Sequence, residues 1–312
     1  MQINWLKTLW QNAKHNAFTD LCCYNNQLFC TFREATNHVS GDGIIRILTL
    51  NQSGVILWQE RIAVPNADLR DPKLCIAANG ELMLIAYARF PDAQNRTHWS
   101  RSLVWRSNTG KSWSQAQYFG PTYWWLWRLR WHQGQSYGLA YNRVEQSLDL
   151  YKGVPGRTYE LLKKSVLGLA THGLGYPNES DLFFEENGDA FAIVRRDADT
   201  FTAQLGRAKS PYTQWRWQDL NTYIGSPVFY ERDDDSFFIA GREWLNRQPK
   251  TTLVVMQKST GKILDRLLLP SAGDNAYPGL AKFQRTDDTL YLSYYSAHEN
   301  QRCQIYLAQI AL

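Results

Sequence analysis

Arginine recurs in this chain at matching places: Arg33, Arg89, Arg143, Arg195 with Arg196, and Arg242 each stand seven to nine residues past a short polar turn. Ahead of the same series of turns stand Asn16 and Asp20, Asp71, Tyr123 and Trp124, Glu179, Ser226 and Tyr277, and beyond the sixth turn come Tyr295 and His298. A guanidinium is a planar five-donor fork, the shape that captures a carboxylate through two hydrogen bonds. Several of them at one place repel one another unless carboxylates or an anionic ligand compensate. Glu34, Asp71, Glu179 and Glu243 are available for that. The set therefore reads either as a site for an anionic ligand or as an internally paired ring.

The elements that must position these residues follow from the turns. Asn25-Asn26, Asn79-Gly80, Gln133-Gly134, Asn187-Gly188, Asp234-Asp235 and Asp287-Asp288 recur every 47 to 54 residues, each between two short apolar runs. Runs such as Lys73 to Ala78 with Leu82 to Ala88, or Val228 to Glu231 with Ser236 to Ala240, are β-branched or aromatic and bounded by Gly, Pro, Asn or Asp. Further strand-like runs follow in each unit, Ile44 to Leu50 and Thr251 to Lys258 among them. Six units of near-constant length, about four strands each, predict an all-β fold: a six-bladed β-propeller with four antiparallel strands per blade, one domain over residues 1–312. Glu160 to Leu169 is the one weak candidate for an amphipathic helix. In a blade the first strand lines the channel and the second runs back. The segment before the first and the loop after the second then meet at one channel mouth, which gathers the residues named above.

These residues resemble the sialidase-like, or neuraminidase, superfamily of six-bladed propellers. Asn178-Glu179-Ser180-Asp181-Leu182-Phe183-Phe184, Asn187-Gly188 and Ile193-Val194-Arg195-Arg196 are similar in order and spacing to that family's blade four, where a glutamate opens the inner strand and an arginine closes the second. Ala240-Gly241-Arg242 is similar to its blade five, and Ala276-Tyr277-Pro278-Gly279 to its blade six. Ser107-Asn108-Thr109-Gly110-Lys111-Ser112-Trp113 and Gly54 to Trp58 look like degenerate Asp-box turns, features of outer strands rather than of the site.

The resemblance implies a retaining glycosidase of the kind that uses a tyrosine nucleophile, with Tyr277 attacking, Glu179 as its base, and Arg195 or Arg196 with Arg242 in a carboxylate clamp. A neutral phenol escapes the repulsion that a carboxylate nucleophile meets from an anionic sugar. The chain departs from the family in blade one. The third clamp arginine has no counterpart in His15-Asn16-Ala17-Phe18-Thr19-Asp20-Leu21, and the family's acid/base aspartate falls in Phe32 to Asp42, which offers Glu34, His38 or Asp42. Asp71, from the next blade, is a further proton donor candidate. Arg33, Arg89, Arg195, Arg196, Arg242, Trp124, His38 and His298 are the expected substrate contacts, and Tyr277, Glu179, Asp71 and Glu34 the expected catalytic groups. Within Tyr123 to Trp131, alternation separates Trp124 from Trp125 and Trp127. Trp124 is expected to offer an indole face at the mouth while the others fill inter-blade core.

Composition excludes other classes. Apolar residues at 44 % and charged ones at 20 % exclude intrinsic disorder, and a net charge of +5 without a Lys/Arg block does not suggest a nucleic-acid footprint, so no nucleic-acid partner is expected. An apolar run long enough for a signal peptide or a spanning helix is missing, so a cytoplasmic, membrane-free protein is expected. Five scattered cysteines form no disulfide framework, and the six histidines show no metal-ligand spacing, so no cofactor or metal is expected. Gly110-Lys111-Ser112 ends like a phosphate loop but has Trp105 where that motif needs Gly. Three readings remain: a glycoside hydrolase or related lyase on a glycan or sugar acid, a carbohydrate-binding propeller without catalysis, and an interaction scaffold. A five-bladed glycosidase with three carboxylates, Asp71 and Glu179 among them, is opposed by the sixth turn.

Overall fold

A computed structural model describes residues 1–312. It is a six-bladed propeller of antiparallel four-stranded sheets, in which only the inner strand of blade three is broken, into Trp125–Leu126 and Arg130–His132. The inner strands of the other blades are His15–Tyr24, Asp68–Ile76, Pro177–Phe184, Gly225–Glu231 and Asn275–Ala281. Blade six is closed by the other end of the chain: Gln2–Trp10 pairs antiparallel with Gln304–Ala311 and forms its outermost strand.

All six turns read from the sequence join inner strands to second strands. Asn25 and Asn26 at φ 47° and 56°, and Gln133 and Gly134 at 49° and 76°, take the left-handed conformations of a two-residue hairpin whose twist matches its strands. The second strands are apolar without alternation because neighbouring blades cover both of their faces. Phe29, Ile45 and Ile47 of blade one pack on Leu69, Leu74, Leu84 and Leu103 of blade two. Ile193 and Leu205 of blade four pack on Phe229, Phe237 and Ile239 of blade five.

The expected helix is a strand. Tyr159–Gly168 pairs with Ser147–Gly153 as the outer strand of blade three, with two irregularities in register, and helix is confined to the single turn Leu169–His172. Its leucines and lysines fit a helix equally well on propensity, but the third strand of the blade offers an open ladder to pair with. The degenerate Asp-box turn is structural: Ser107 Oγ accepts from the backbone N–H groups of Thr109 and Gly110, and Trp113 packs against the core between blades one and two.

Every inner strand carries one residue more than the strand it pairs with. Phe18-Thr19 face Phe32, Asp71-Pro72 face Ala86, Asn178-Glu179 face Arg195, Ser226-Pro227 face Gly241 and Tyr277-Pro278 face Tyr294. In blade three the break places Trp127, Arg128 and Leu129 opposite two residues. A bulge bends its strand and re-aims a side chain. Repeated around the ring, it turns six sets of side chains toward one mouth.

Candidate active site

The bulges hold one another. Glu179 Oε2 accepts from the backbone N–H of Ser226 at 2.6 Å, Ser226 Oγ accepts from the Tyr277 N–H at 3.0 Å, and Thr19 Oγ1 donates to the Tyr277 carbonyl at 2.7 Å. These bonds run through blades four, five, six and one. Phe18, Asp71, Ser226 and Tyr277 all sit at φ between 48° and 63°, a region that residues with side chains seldom adopt and that persists only where the surroundings enforce it. In three of these cases proline follows, so the bulge carries no surplus N–H to satisfy.

Tyr277 Oη donates to Glu179 Oε1 in a short hydrogen bond between buried groups. Arg195 Nη1 reaches Glu179 Oε2 at 2.7 Å and is itself held by Asp197, through Nε at 3.0 Å and Nη2 at 2.9 Å. Burial opposes ionisation of Glu179, but Arg195, the Tyr277 hydroxyl and Arg242 outweigh it and hold its carboxyl below the usual range. Burial and the Glu179 charge push the Tyr277 phenol well above its ordinary value. Glu179 is therefore ionised and Tyr277 protonated. The guanidinium of Arg242 lies 5.7 Å from the Tyr277 ring centroid; its Nε and Nη2 donate to the Asn275 carbonyl, while Nη1 makes no hydrogen bond within the protein.

Aromatic rings line the rest of the mouth. Phe18 and Trp127 lie 4.8 Å and 5.7 Å from Tyr277 between centroids, and Phe18 meets the edge of the His38 imidazole at 5.0 Å. Phe18 occupies the inner strand of blade one where the arginine is missing. At the bulge of blade two Asp71 is buried with Oδ1 unpartnered, close enough for its charge to act on Tyr277, and burial raises its carboxyl to about 6 despite the opposing charges of Lys73 and Arg70. Lys73 is pushed down to about 8 by burial and by Arg128.

Asp274 lies just ahead of the inner strand of blade six. Its Oδ2 is 2.7 Å from His38 Nδ1 and 3.2 Å from His15 Nε2, and its Oδ1 accepts from Tyr295 Oη at 2.6 Å. Burial opposes ionisation, but these hydrogen bonds hold the Asp274 carboxyl well below the ordinary range. The ligand atoms of His15, His38 and Asp274 lie within 4.8 Å of one another. With Asp274 ionised, both imidazoles donate to its shared oxygen and the three form a hydrogen-bonded triad.

The expected site residues divide in two. Tyr277, Glu179, Arg195, Arg242, Asp71 and His38 are brought together. Arg33 is fully buried, with Nε and Nη2 on Asp68 and its other donors on the Asn37 and Ser40 carbonyls. Arg89 is used by Asp68, Asn95 and the blade-one loop. Arg196 is spent on the Gly175 carbonyl and Asp199, and Glu34 on Arg46 and Trp10. Those four are engaged in holding the fold, Arg33 at every nitrogen, unlike Arg242 beside Tyr277. The direction of each side chain is what decided it, and alternation along a bulged strand does not give that direction. His298 bonds Ser296 and packs at a tilt on Tyr306, 4.7 Å between centroids. Trp124 packs against a cluster with Phe119 and Leu129, whereas Trp125 stacks on Tyr87 at 4.1 Å and Trp127 touches Tyr277, so the faces of that run are exchanged. Tyr295 stands at the mouth as its place past the sixth turn implies, and Phe18, Trp127 and Asp274 join it without having been singled out. The repeat of the bulge would have pointed to Phe18 and Trp127. A concavity of about 910 Å³ lies on the flank of blade four around Arg207 and Trp215 and shares no residue with the mouth.

No family model and no curated protein sequence matches the chain. The fold superposes with a TM-score of 0.85 on a protein of unknown function from Dyadobacter fermentans, 14 % identical, over 100 % of this chain and 99 % of that one. It superposes with a TM-score of 0.74 on the NanB sialidase of Streptococcus pneumoniae, 9 % identical, over 99 % and 71 %. For the α-L-arabinanase of Penicillium chrysogenum the TM-score is 0.71, with 12 % identity over 100 % and 99 %. At such identities the likeness is one of fold, and the fold of this chain is that of the sialidase-like six-bladed β-propellers.

Proposed function

We propose that the chain is a retaining glycoside hydrolase acting at the channel mouth on a glycan whose reacting sugar carries a carboxylate. The observation that carries this reading is the buried contact of Tyr277 Oη with Glu179, whose second oxygen is held by Arg195 and the Ser226 N–H. Tyr277 Oη attacks the anomeric carbon as its proton passes to Glu179 Oε1. The resting protonation states are the ones this step requires. Arg195 and the Ser226 N–H keep Glu179 oriented, and Arg242, with Nη1 unused, stands beside the Tyr277 ring to take the sugar carboxylate. Phe18, Trp127 and Tyr295 exclude water from the phenol.

Chromogenic sialosides, uronides and arabinosides test the reading. Turnover of at least one is expected, with Tyr277→Phe and Glu179→Gln each reducing kcat/KM by about 10³-fold or more while circular dichroism stays native. Retention of most activity by both variants overturns it. A second reading, a glycan-binding propeller without catalysis, is favoured by the internal use of Arg33, Arg89 and Arg196. It is the outcome if sugars stabilise the protein thermally and none is cleaved.

A further inference from the structure

A nucleophile at Tyr277 needs a partner that protonates the departing oxygen, and the groups around it are few. Glu179 has both oxygens engaged, and Asp274 is an ionised acceptor of three donors. Tyr295 is buried and donates to Asp274. Asp71 is buried away from solvent. His38 differs from all of these: its side chain is 45 % exposed, its Nδ1 is fixed by Asp274 at 2.7 Å, and its Nε2 makes no hydrogen bond within the protein.

We infer that His38 gives and takes the proton of the leaving group at this mouth, with Asp274 as its positioning residue; the inference rests on the Tyr277–Glu179 reading above. Because Asp274 is ionised and accepts at Oδ2, His38 Nδ1 carries a hydrogen, which leaves Nε2 as the exchanging atom. The ring is braced by Phe18 at 5.0 Å, itself against Tyr277. The imidazole thus stands at the solvent rim, one ring away from the nucleophile. The charged and titratable groups facing it are Asp274, His15, Asp71, Tyr295, and Arg70, whose guanidinium donates to the His38 carbonyl and lies over Phe18; Arg242 reaches it through Asp274.

In the first half-reaction the Nε2 proton goes to the glycosidic oxygen and the C–O bonding pair leaves with it. Tyr277 Oη, its own proton passed to Glu179, bonds to the anomeric carbon. In the second, neutral Nε2 takes a proton from water as the water oxygen bonds to that carbon. The Tyr277–carbon pair returns to the phenol oxygen, and Glu179 gives back its proton.

Paired substrates of one sugar, with an alkyl and an acidic aryl leaving group, test this in full-length protein. His38→Gln is expected to lose about 10²- to 10³-fold in kcat/KM on the alkyl substrate and about tenfold or less on the aryl one. It should also lose the limb of the pH profile on which activity falls as pH rises, and azide should accelerate its second step. Asp274→Asn should lower kcat on the alkyl substrate without changing KM. Wild-type rates and pH profile in His38→Gln, with Tyr277→Phe inactive, overturn the role of His38 and leave the nucleophile standing. A leaving-group-dependent loss in Asp71→Asn and not in His38→Gln moves the role to Asp71. Failure of wild type to cleave either substrate, or full activity of Tyr277→Phe, overturns both.

Discussion

Asp71 shows how much one buried carboxyl at this mouth costs the fold. Its value of about 6 in the folded protein lies above the ordinary 3.8, so the native state keeps a proton that the unfolded chain has already released. The sign follows: stability falls as pH rises through that interval and the loss is complete above it, at about 3 kcal/mol for a shift of this size. Asp71→Asn is expected to be more stable than wild type by up to that amount in urea at pH 8, with the difference gone below pH 4. An advantage of the same size at both pH values would refute the account. The places of Tyr277, Glu179 and Arg242 were legible in the sequence, because their positions relative to the turns survive folding unchanged, whereas only the fold separates Arg195, on Glu179, from its neighbour Arg196. The place of Asp274 was not legible. It lies between blades, three residues ahead of Tyr277, and meets His15 and His38 only because blades six and one are neighbours in the closed ring.

At the scale of the element, the bulged inner strand does the positioning, and Gly279 shows how closely the strands approach. A Cβ there would lie 2.0 Å from the Leu21 nitrogen and 2.6 Å from the Asp20 carbonyl carbon, both backbone. Gly279→Ala is expected to cost about 3 kcal/mol and to displace Tyr277 two residues away, read as a lower thermal midpoint together with weaker sugar binding. Gly80→Ala, in an open hairpin turn at φ 84° with nothing within 4 Å, should cost about 1 kcal/mol. A larger loss at Gly80 than at Gly279 would contradict the packing described. Turn chemistry is local, so the hairpins could be read from single dipeptides. A bulge depends on register against a partner strand, and nothing in an isolated segment records it.

At the scale of the whole molecule, ring closure holds the mouth together. Gln2–Trp10 pairs with Gln304–Ala311, Trp5 packs on Tyr291, and Trp10 Nε1 donates to Glu34 of blade one. Removing residues 2–10 would uncover a strand edge and part blades six and one, the pair that brings Asp274 to His38. The truncated chain is expected to melt about 10 °C or more below the intact protein, with partial recovery on adding a peptide of residues 2–10. An unchanged midpoint would show that closure contributes nothing.

The amino-acid sequence by itself determined the number of blades, the hairpin between each inner and second strand, and the blade positions of Tyr277, Glu179 and the arginines, because each rests on local turn chemistry repeated along the chain. The tertiary structure alone decided which arginines stand beside Tyr277 and which are consumed by Asp68, Asp199 and backbone carbonyls, which indole ring packs on Tyr277, and which carboxylate holds His38. The reason is physical: those outcomes depend on the direction a bulge imparts to each side chain and on contacts between residues more than 200 positions apart, such as His38 with Asp274.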